Sequence, residues 1–283
     1  MPEELQISQL REEDLAEALR LSTEAGWNQT LEDWHRVLAL TRRRGGFAGR
    51  QGGQLVATGT LVEHGRGGWV GMILVDEQYR RRGLGTAMLD RTIAAADDAG
   101  LSWIGLNATT MGRPLYLKRG FADVGHKDRW QLTKPAGQLQ TRGMRKLELC
   151  DAIQQLDFRA TGIDRMSMLK LMCENPHAEG YVCRNDGELG FGCSRPGRIG
   201  SYIGPVIAES SEIAAAIVSK LLERLAPAAG RRVFIDVPRG SAIEPWLNAE
   251  GFEVVRSWTR MIRGPIEIAD RHMVFAIAGP ELG

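Results

Sequence analysis

Along the first half of the chain, the spacing of apolar residues alternates between the period of a helix and the period of a strand. Apolar side chains at every third or fourth position predict helices, at residues 11–22, 84–98 and 114–118. Thr30, with Asp33 three residues later, has the pattern of a capping box and predicts a further helix start. Short apolar runs between glycine-rich turns predict strands, at residues 5–7, 47–50, 54–63, 69–75, 101–106 and 130–132. This succession of elements predicts an α/β fold.

A second set of elements in a similar order follows a polar stretch with proline and glycine at residues 133–138, which is typical of a linker. Helices are predicted at residues 149–156, 164–173 and 211–225, and strands at residues 180–184, 188–194, 199–207, 232–237 and 272–277. The run from Trp69 to Met72 resembles the run from Tyr202 to Pro205. An internal repeat of about 130 residues explains these similarities. The sequence therefore predicts two copies of one α/β unit, over residues 1–135 and 138–283.

The overall composition is that of an ordinary soluble globular protein, with 43% hydrophobic and 25% charged residues. The 36 basic and 35 acidic residues nearly balance, which argues against nucleic acid as the main partner. No apolar run is long enough to span a membrane, and the polar, acidic start differs from a secretion signal. The four cysteines match no zinc-binding spacing, so we expect no metal. These features predict a cytoplasmic protein with no nucleic-acid and no membrane partner.

The segment from Arg80 to Gly85 has the residue types of an anion-binding loop. It follows the 69–75 strand, whose two apolar faces predict a central position in the sheet, and it leads into the 84–98 helix. The first N–H groups of a helix have no acceptors inside the helix and lie at the positive end of its dipole. Gly83 allows a diphosphate to approach the main chain, and three arginines add charge. The spacing matches neither a Rossmann nor a Walker loop, and a plain basic turn is the alternative.

Two motifs in this half resemble those of the GNAT N-acetyltransferase superfamily. The pattern Arg80-x-x-Gly83-x-Gly85 is similar to its acetyl-CoA signature, and the later run from Leu115-Tyr116 to Gly120-Phe121 is similar to its second signature. The resemblance extends over residues 5–132. It implies a tandem GNAT protein in which each domain has a mixed, mostly antiparallel central sheet flanked by helices. The catalytic GNAT domain would comprise residues 1–135, and a degenerate GNAT-like domain residues 138–283.

By this resemblance, the cofactor is acetyl-CoA, which serves as a co-substrate. The positions that match the family's cofactor contacts are Ile73, Leu74, Val75, Arg80, Arg81, Arg82, Gly83, Gly85, Thr86 and Asn107. The main chain before the loop would pair with the pantetheine arm beside a bulge near Gly71, and the Val75 N–H would hold the thioester oxygen. Tyr116 matches the general acid that protonates the departing thiolate, with a packed aromatic as the alternative. For Asn107, the alternative is a turn residue at the end of a strand.

The acceptor side is expected at the loop between the first two helices, which flank the substrate in this family. Trp27 and Asn28 are the candidates there, and a role of Trp27 in filling the core is the alternative. No general base is evident, because the predicted central strand contains no glutamate. Glu63, His64 and Asp76 are the nearest titratable residues, each expected in an exposed turn. A base that acts through water stays open as well.

The second half lacks the arginine–glycine loop and has Leu247 at the position that corresponds to Tyr116, so we expect it to be non-catalytic. The function that follows is transfer of an acetyl group from acetyl-CoA to the amine of a small molecule or an amino acid, by direct attack of the amine. An acyl-CoA-binding sensor or structural module without turnover is one alternative, and transfer of another acyl group is a second. We expect a monomer or a homodimer.

Overall fold

The computed structural model describes residues 4–41, 44–133, 143–225, 232–265 and 270–283. Residues 134–138 of the predicted linker lie outside the described residues. The chain divides into two compact units, the first comprising Met1–Ala122, Met261–Ile266 and Glu281–Gly283, and the second comprising Asp123–Arg260 and Glu267–Pro280. The compact units do not coincide with residues 1–135 and 138–283, because each unit also contains residues from the other half of the chain. The division into two domains at the sequence repeat stays a prediction.

The first unit is built on a sheet that carries helices. Its strands are β1 (Gln6–Gln9), β2 (Gly46–Gln51), β3 (Gln54–His64), β4 (Gly67–Val75) and β5 (Trp103–Ala108), and its helices are α1 (Leu15–Glu24), α2 (Leu31–Leu40), α3 (Leu84–Asp98) and α4 (Arg113–Leu117). The strand order is β1-β2-β3-β4-β5, with antiparallel neighbours except for β4 and β5, which are parallel. This mixed, mostly antiparallel sheet confirms the predicted fold class. The predicted capping box is confirmed at the start of α2, where Thr30 Oγ1 accepts a hydrogen bond from Asp33 N.

The two faces of this sheet carry different helices. On one face, Met88 and Leu89 of α3 form a buried cluster with Val70 of β4. Because side chains alternate along a strand, Trp69 and Gly71 point to the other face. Trp69 is fully buried there, and α1 packs against β3 and β4. The face of β4 that carries Gly71 is therefore distinct from the face that α3 covers.

The second unit repeats this arrangement. Its strands are β6 (Ala122–Leu132, in this unit from Asp123), β7 (Met144–Lys146), β8 (Glu179–Asn185), β9 (Glu188–Arg195), β10 (Gly200–Ala208), β11 (Arg232–Pro238), β12 (Phe252–Arg263, in this unit to Arg260) and β13 (Val274–Ala276). Its helices are α5 (Asp151–Thr161), α6 (Met166–Cys173), α7 (Ser211–Leu225) and α8 (Glu244–Ala249). The order β6-β11-β10-β9-β8-β7 again has one parallel pair, β10 with β11. In the part of the chain that the structure describes, no helix has the length and apolar character needed to cross a membrane.

Several elements differ from the predictions. β6 has 11 residues, many more than the segment predicted at 130–132, and β7 and β12 were not predicted. Exposed polar residues interrupt the first halves of β6 and β12, so the apolar alternation that signals a strand is missing there. α1 begins at Leu15 rather than at residue 11, because Glu12–Asp14 form a short 3₁₀ turn.

Candidate functional site

A slot opens in the sheet of the first unit where β4 and β5 separate. The two strands pair only from Gly67 to Trp69 on β4 and from Trp103 to Gly105 on β5. Beyond Trp69, β4 continues to Val75 and keeps its pairing with β3. Main-chain groups along the other edge of β4 therefore face the slot. Such an edge can bind an extended ligand as an added strand.

β4 contains a bulge at the narrow end of this slot. Thr58 pairs with Leu74 and Thr60 pairs with Gly71, so β4 has one residue more than β3 over this interval. Met72 has a φ of 49°, in the left-handed region, and Thr58 Oγ1 donates a hydrogen bond to the Met72 carbonyl oxygen at 2.8 Å. The bulge expected near Gly71 is confirmed, with the left-handed residue one position later than the glycine.

The loop after β4 has the main-chain geometry of an anion cradle, a name we use for residues 81–86. Arg81 has a φ of 64° and Gly83 a φ of 82°, and α3 begins at Leu84. A Cβ on Gly83 would meet no atom within 4 Å, so the conformation rather than packing requires glycine there. The N–H groups of the first turn of α3 have no acceptors within the helix. Left-handed loop residues followed by a helix N-terminus form a concave site that can receive a diphosphate.

The arginines of the loop add positive charge to the cradle. Arg80 Nε donates a hydrogen bond to the Val75 carbonyl oxygen at 3.2 Å, and Arg82 Nη2 donates one to the Gln78 carbonyl oxygen at 3.0 Å. These contacts hold both guanidinium groups against the main chain of the loop. The Arg81 side chain is exposed. All three charges lie near the positive end of the α3 dipole, which makes the region favourable for an anion.

The remaining predicted cofactor residues surround the same slot. Gly85 and Thr86 lie half-exposed in the first turn of α3, and a Cβ on Gly85 would lie 3.5 Å from Val75 Cγ2. Ile73 is half-buried on β4 and Leu74 is buried. Asn107 is half-buried on β5, beyond the end of its pairing with β4. The structure thus brings the strand edge, the loop and β5 together around one opening.

Tyr116 lies on α4 and packs against the buried cluster that Ile73 also contacts. Its ring meets that of Phe121 edge-on, with 6.1 Å between the centroids. Arg119 fixes α4 to α3, because its Nη2 donates a hydrogen bond to Asp90 Oδ2 at 2.9 Å, and this guanidinium lowers the pKa of Asp90. Burial raises the pKa of the Tyr116 phenol. The hydroxyl therefore keeps its proton at neutral pH, as a general acid must.

The loop between α1 and α2 contains the predicted acceptor residues. Trp27 is half-buried, and its N–H donates a hydrogen bond to the Ser22 carbonyl oxygen at 2.9 Å. Asn28 and Gln29 are buried. Trp34 is fully buried, and its Nε1 donates a hydrogen bond to Ser22 Oγ at 3.1 Å. Trp34 therefore occupies the core between the helices, and Trp27 stays a candidate for contact with an acceptor.

His64 and Asp76 are not the exposed turn residues that the sequence predicted. His64 is buried, and its Nε2 donates a hydrogen bond to the Leu282 carbonyl oxygen at 2.9 Å. Asp76 is buried and accepts a hydrogen bond from Arg20 Nη1 at 2.8 Å. Both side chains are buried because groups distant in the sequence cover them. The spacing of apolar residues near each position does not reveal such contacts. Glu63 is half-buried and, by alternation with His64, points to the other face of β3.

Residues 281–283 lie against the face of β4 that carries Gly71, and we call them the 281–283 segment. The sequence did not indicate a role for them. Glu281 is 3% exposed and accepts a hydrogen bond from Gln29 Nε2 at 3.0 Å. A Cβ on Gly71 would lie 3.1 Å from the Glu281 carbonyl oxygen, so the segment approaches the bulge as closely as it does because residue 71 is glycine. Gln29 and Glu281 are 252 positions apart. No local sequence signal marks such a contact.

The corresponding slot in the second unit is filled by the chain itself. β10 and β11 pair from Gly200 to Ile203, and β10 has a register shift between Ile203 and Val206, as β4 does at its bulge. β13 then pairs with β10 at Val206. The N–H of Ile277, just after β13, donates a hydrogen bond to the Asp236 carbonyl oxygen on β11 at 3.0 Å. β13 thus occupies the edge of β10 that corresponds to the slot-facing edge of β4.

Comparison with known proteins relates both halves of the chain to described families. One family model, described as acetyltransferase (GNAT) family, matches residues 7–121, and another, described as acetyltransferase (GNAT) domain, matches residues 153–276. The chain is 32% identical over 245 residues to the uncharacterized N-acetyltransferase YitH of Bacillus subtilis, covering 82% of each chain. Its fold is similar to that of a putative acetyltransferase from Pyrococcus horikoshii, with a TM-score of 0.86, 21% identity and coverage of 99% of this chain and 96% of the other. It is also similar to a tandem GNAT protein from the clavulanic acid biosynthesis pathway, with a TM-score of 0.65, 15% identity and coverage of 93% and 100%.

Proposed function

Because this chain belongs to the GNAT acetyltransferase family and is an acyltransferase with two GNAT domains, we propose that it transfers an acetyl group from acetyl-CoA to the amine of a small molecule or an amino acid. The proposal rests on the slot between β4 and β5, which has the anion cradle at one end and the bulge at the other. Among the described residues, no group of His, Cys, Asp and Glu could hold a metal ion, and the proposed reaction uses none.

In this proposal, the diphosphate of acetyl-CoA binds the cradle. The N–H groups at the start of α3 and the Thr86 hydroxyl donate hydrogen bonds to it, and Arg81 adds charge. The pantetheine arm then runs along the open edge of β4, with Asn107 on the other side of the slot. From Val75 back to Gly71, this path is roughly 13 Å long at about 3.3 Å per residue. The thioester would therefore reach the bulge.

The chemistry at the bulge would be direct attack by the acceptor. Asp76 N donates a hydrogen bond to the Val56 carbonyl oxygen on β3 at 2.8 Å, so by alternation the N–H groups of Val75 and Ile73 face the slot. The one nearer the thioester would hold the oxyanion that forms when the amine attacks the carbonyl carbon. Tyr116 would then protonate the departing thiolate. Trp27 and Asn28 are proposed to contact the acceptor.

The second unit is proposed to have no catalytic role, because β13 occupies the strand edge that an acyl-CoA arm would need. Val206 of β10 already pairs with Ala276 of β13. Displacing β13 would expose the buried Phe275 and Ala276, which opposes binding there.

Release of free thiol from acetyl-CoA across a panel of amines and amino acids tests this function. We expect turnover with at least one acceptor. The Tyr116→Phe variant should lower the rate by about 10²–10⁴ and leave the Kd for CoA unchanged. Phenylalanine keeps the packing against Phe121, so a loss of rate would report the hydroxyl. Tight binding of acetyl-CoA without thiol release from any acceptor would contradict the enzyme and favour a sensor.

A further inference from the structure

The reaction needs a group that removes a proton from the acceptor, and the first unit has few buried carboxylates to choose from. Among its described residues they are Asp14, Asp33, Asp76 and Glu281. The first three form ion pairs with arginines: Asp14 with Arg50, Asp33 with Arg36 at 2.6 Å, and Asp76 with Arg20 at 2.8 Å. Glu281 is distinguished from these three by its position beside Gly71 and the bulge.

Glu281 lies at the place where the chemistry would occur. Its main chain packs on Gly71, so close that a Cβ on that glycine would lie 3.2 Å from Glu281 Cα. Gly71 directly precedes Met72, the left-handed residue of the bulge at the narrow end of the slot. The Glu281 carboxylate accepts a hydrogen bond from Gln29, which follows the proposed acceptor residues Trp27 and Asn28. Glu281 thus contacts the acceptor loop through its carboxylate and the strand that carries the bulge through its main chain.

The 281–283 segment is held in a fixed position. His64 Nε2 donates a hydrogen bond to the Leu282 carbonyl oxygen at 2.9 Å, and the Leu282 side chain is 1% exposed. Gly283 packs on Trp69, where an added Cβ would lie 3.0 Å from the indole. Trp69 and Gly71 are on the same face of β4. The two residues after Glu281 are thus fixed on the first unit, and Gln29 holds the Glu281 carboxylate, as a residue with a specific role requires.

The two proposed proton-transfer groups then lie on opposite faces of the sheet. Tyr116 packs with the α3 cluster, whereas Glu281 packs on Gly71, whose face is opposite to that of Val70. This arrangement would place the acid on the side of the sulfur and the base on the side of the amine.

Building on the acetyl transfer proposed above, we infer that Glu281 is the catalytic base, which binds the acceptor as an ammonium ion and removes its proton. The Glu281 carboxylate takes one proton, and the neutral amine forms the C–N bond to the thioester carbonyl carbon. The C–S bond breaks, and its electron pair leaves on sulfur. Tyr116 protonates the sulfur and regains a proton from the nitrogen of the new amide. Glu281 releases its proton to water, so one proton leaves in each turnover.

The Glu281→Gln variant tests this role, because glutamine has the same shape and its amide oxygen can still accept from Gln29. We expect kcat/KM at pH 7 to fall by about 10²–10⁴, with an unchanged Kd for CoA. The loss should shrink as the pH rises toward the pKa of the acceptor amine, since the neutral amine then comes from solution. If Glu281 only stabilised the fold, the activity lost in Glu281→Gln would not return at high pH.

Two matched variants complete the experiment. Glu281→Asp keeps the carboxylate and should retain more activity than Glu281→Gln. Glu32→Gln, an exposed glutamate in the first turn of α2, should leave the rate and the pH profile unchanged. If Glu281→Gln retains the wild-type rate and pH profile, Glu281 is not the base while the acetyl transfer stands. If the wild-type protein binds CoA but releases no thiol with any acceptor, both the function and the role of Glu281 are overturned.

Discussion

Replacement of Gly83 by alanine tests whether the main chain of the cradle binds the cofactor. Gly83 has a φ of 82° and precedes α3. An alanine held in this left-handed conformation costs about 1–2 kcal/mol. No atom lies within 4 Å of the added Cβ, so packing adds nothing further. We therefore expect the free energy of unfolding to fall by about 1–2 kcal/mol in urea denaturation.

Gly83→Ala should also weaken the binding of CoA, and this effect is separate from the loss of stability. The added methyl group would occupy the open space through which a diphosphate reaches the N–H groups at the start of α3. Loss of a hydrogen bond to a charged group is worth about 1.5–3 kcal/mol. The Kd for CoA, measured by isothermal titration calorimetry, should therefore rise by roughly tenfold to a hundredfold.

Gly100 provides the matched control, because it follows the other end of the same helix. Its φ is 66°, and a Cβ there also meets no atom within 4 Å. Gly100→Ala should lower the free energy of unfolding by a similar amount and leave the Kd for CoA unchanged. If Gly83→Ala and Gly100→Ala lost affinity for CoA equally, the loss would come from reduced stability and not from the cradle. An unchanged Kd in Gly83→Ala would refute the cradle.

Three further outcomes follow from the structure. Thr58→Val removes the hydrogen bond to the buried Met72 carbonyl oxygen and should lower the free energy of unfolding by about 1–3 kcal/mol; urea denaturation checks this, and a variant as stable as wild type would show that the bulge does not depend on the bond. The raised pKa of Tyr116 means that its proton is kept until the pH exceeds about 10, the ordinary value for tyrosine, so the alkaline decline of kcat should begin only above that pH; the same decline in Tyr116→Phe would assign it to another group. Calorimetry should give one CoA site per chain, because β13 fills the slot of the second unit, and two sites would show that the second unit binds as well.

The cofactor side of the site could be predicted from the sequence because its residues are close together in the chain. The strand, the arginine–glycine loop and the start of α3 form one continuous segment, and a helix N-terminus preceded by glycines has a chemistry that local sequence determines. Tyr116 could also be predicted, because its motif lies in the same half of the chain. The burial that raises its pKa could not be predicted, because it depends on how α4 packs on the cluster beneath it.

The acceptor side could not be predicted in the same way. Gly71 was expected at the bulge for its conformation, yet Met72 takes the left-handed conformation and Gly71 leaves room for Glu281. His64 was expected in an exposed turn, and Leu282 covers it. β13 was predicted as a strand, but not its place along β10. Each of these contacts joins segments far apart in the sequence, so no periodicity or motif reports them.

A crystal structure of the protein with bound CoA would show where the cofactor binds relative to the slot. We expect the diphosphate on the N–H groups of the cradle, the pantetheine arm along β4, and the sulfur beside the bulge at Met72, between Tyr116 and Glu281. CoA bound in another place, or along β10 after displacement of β13, would show that the slot of the first unit is not the cofactor site.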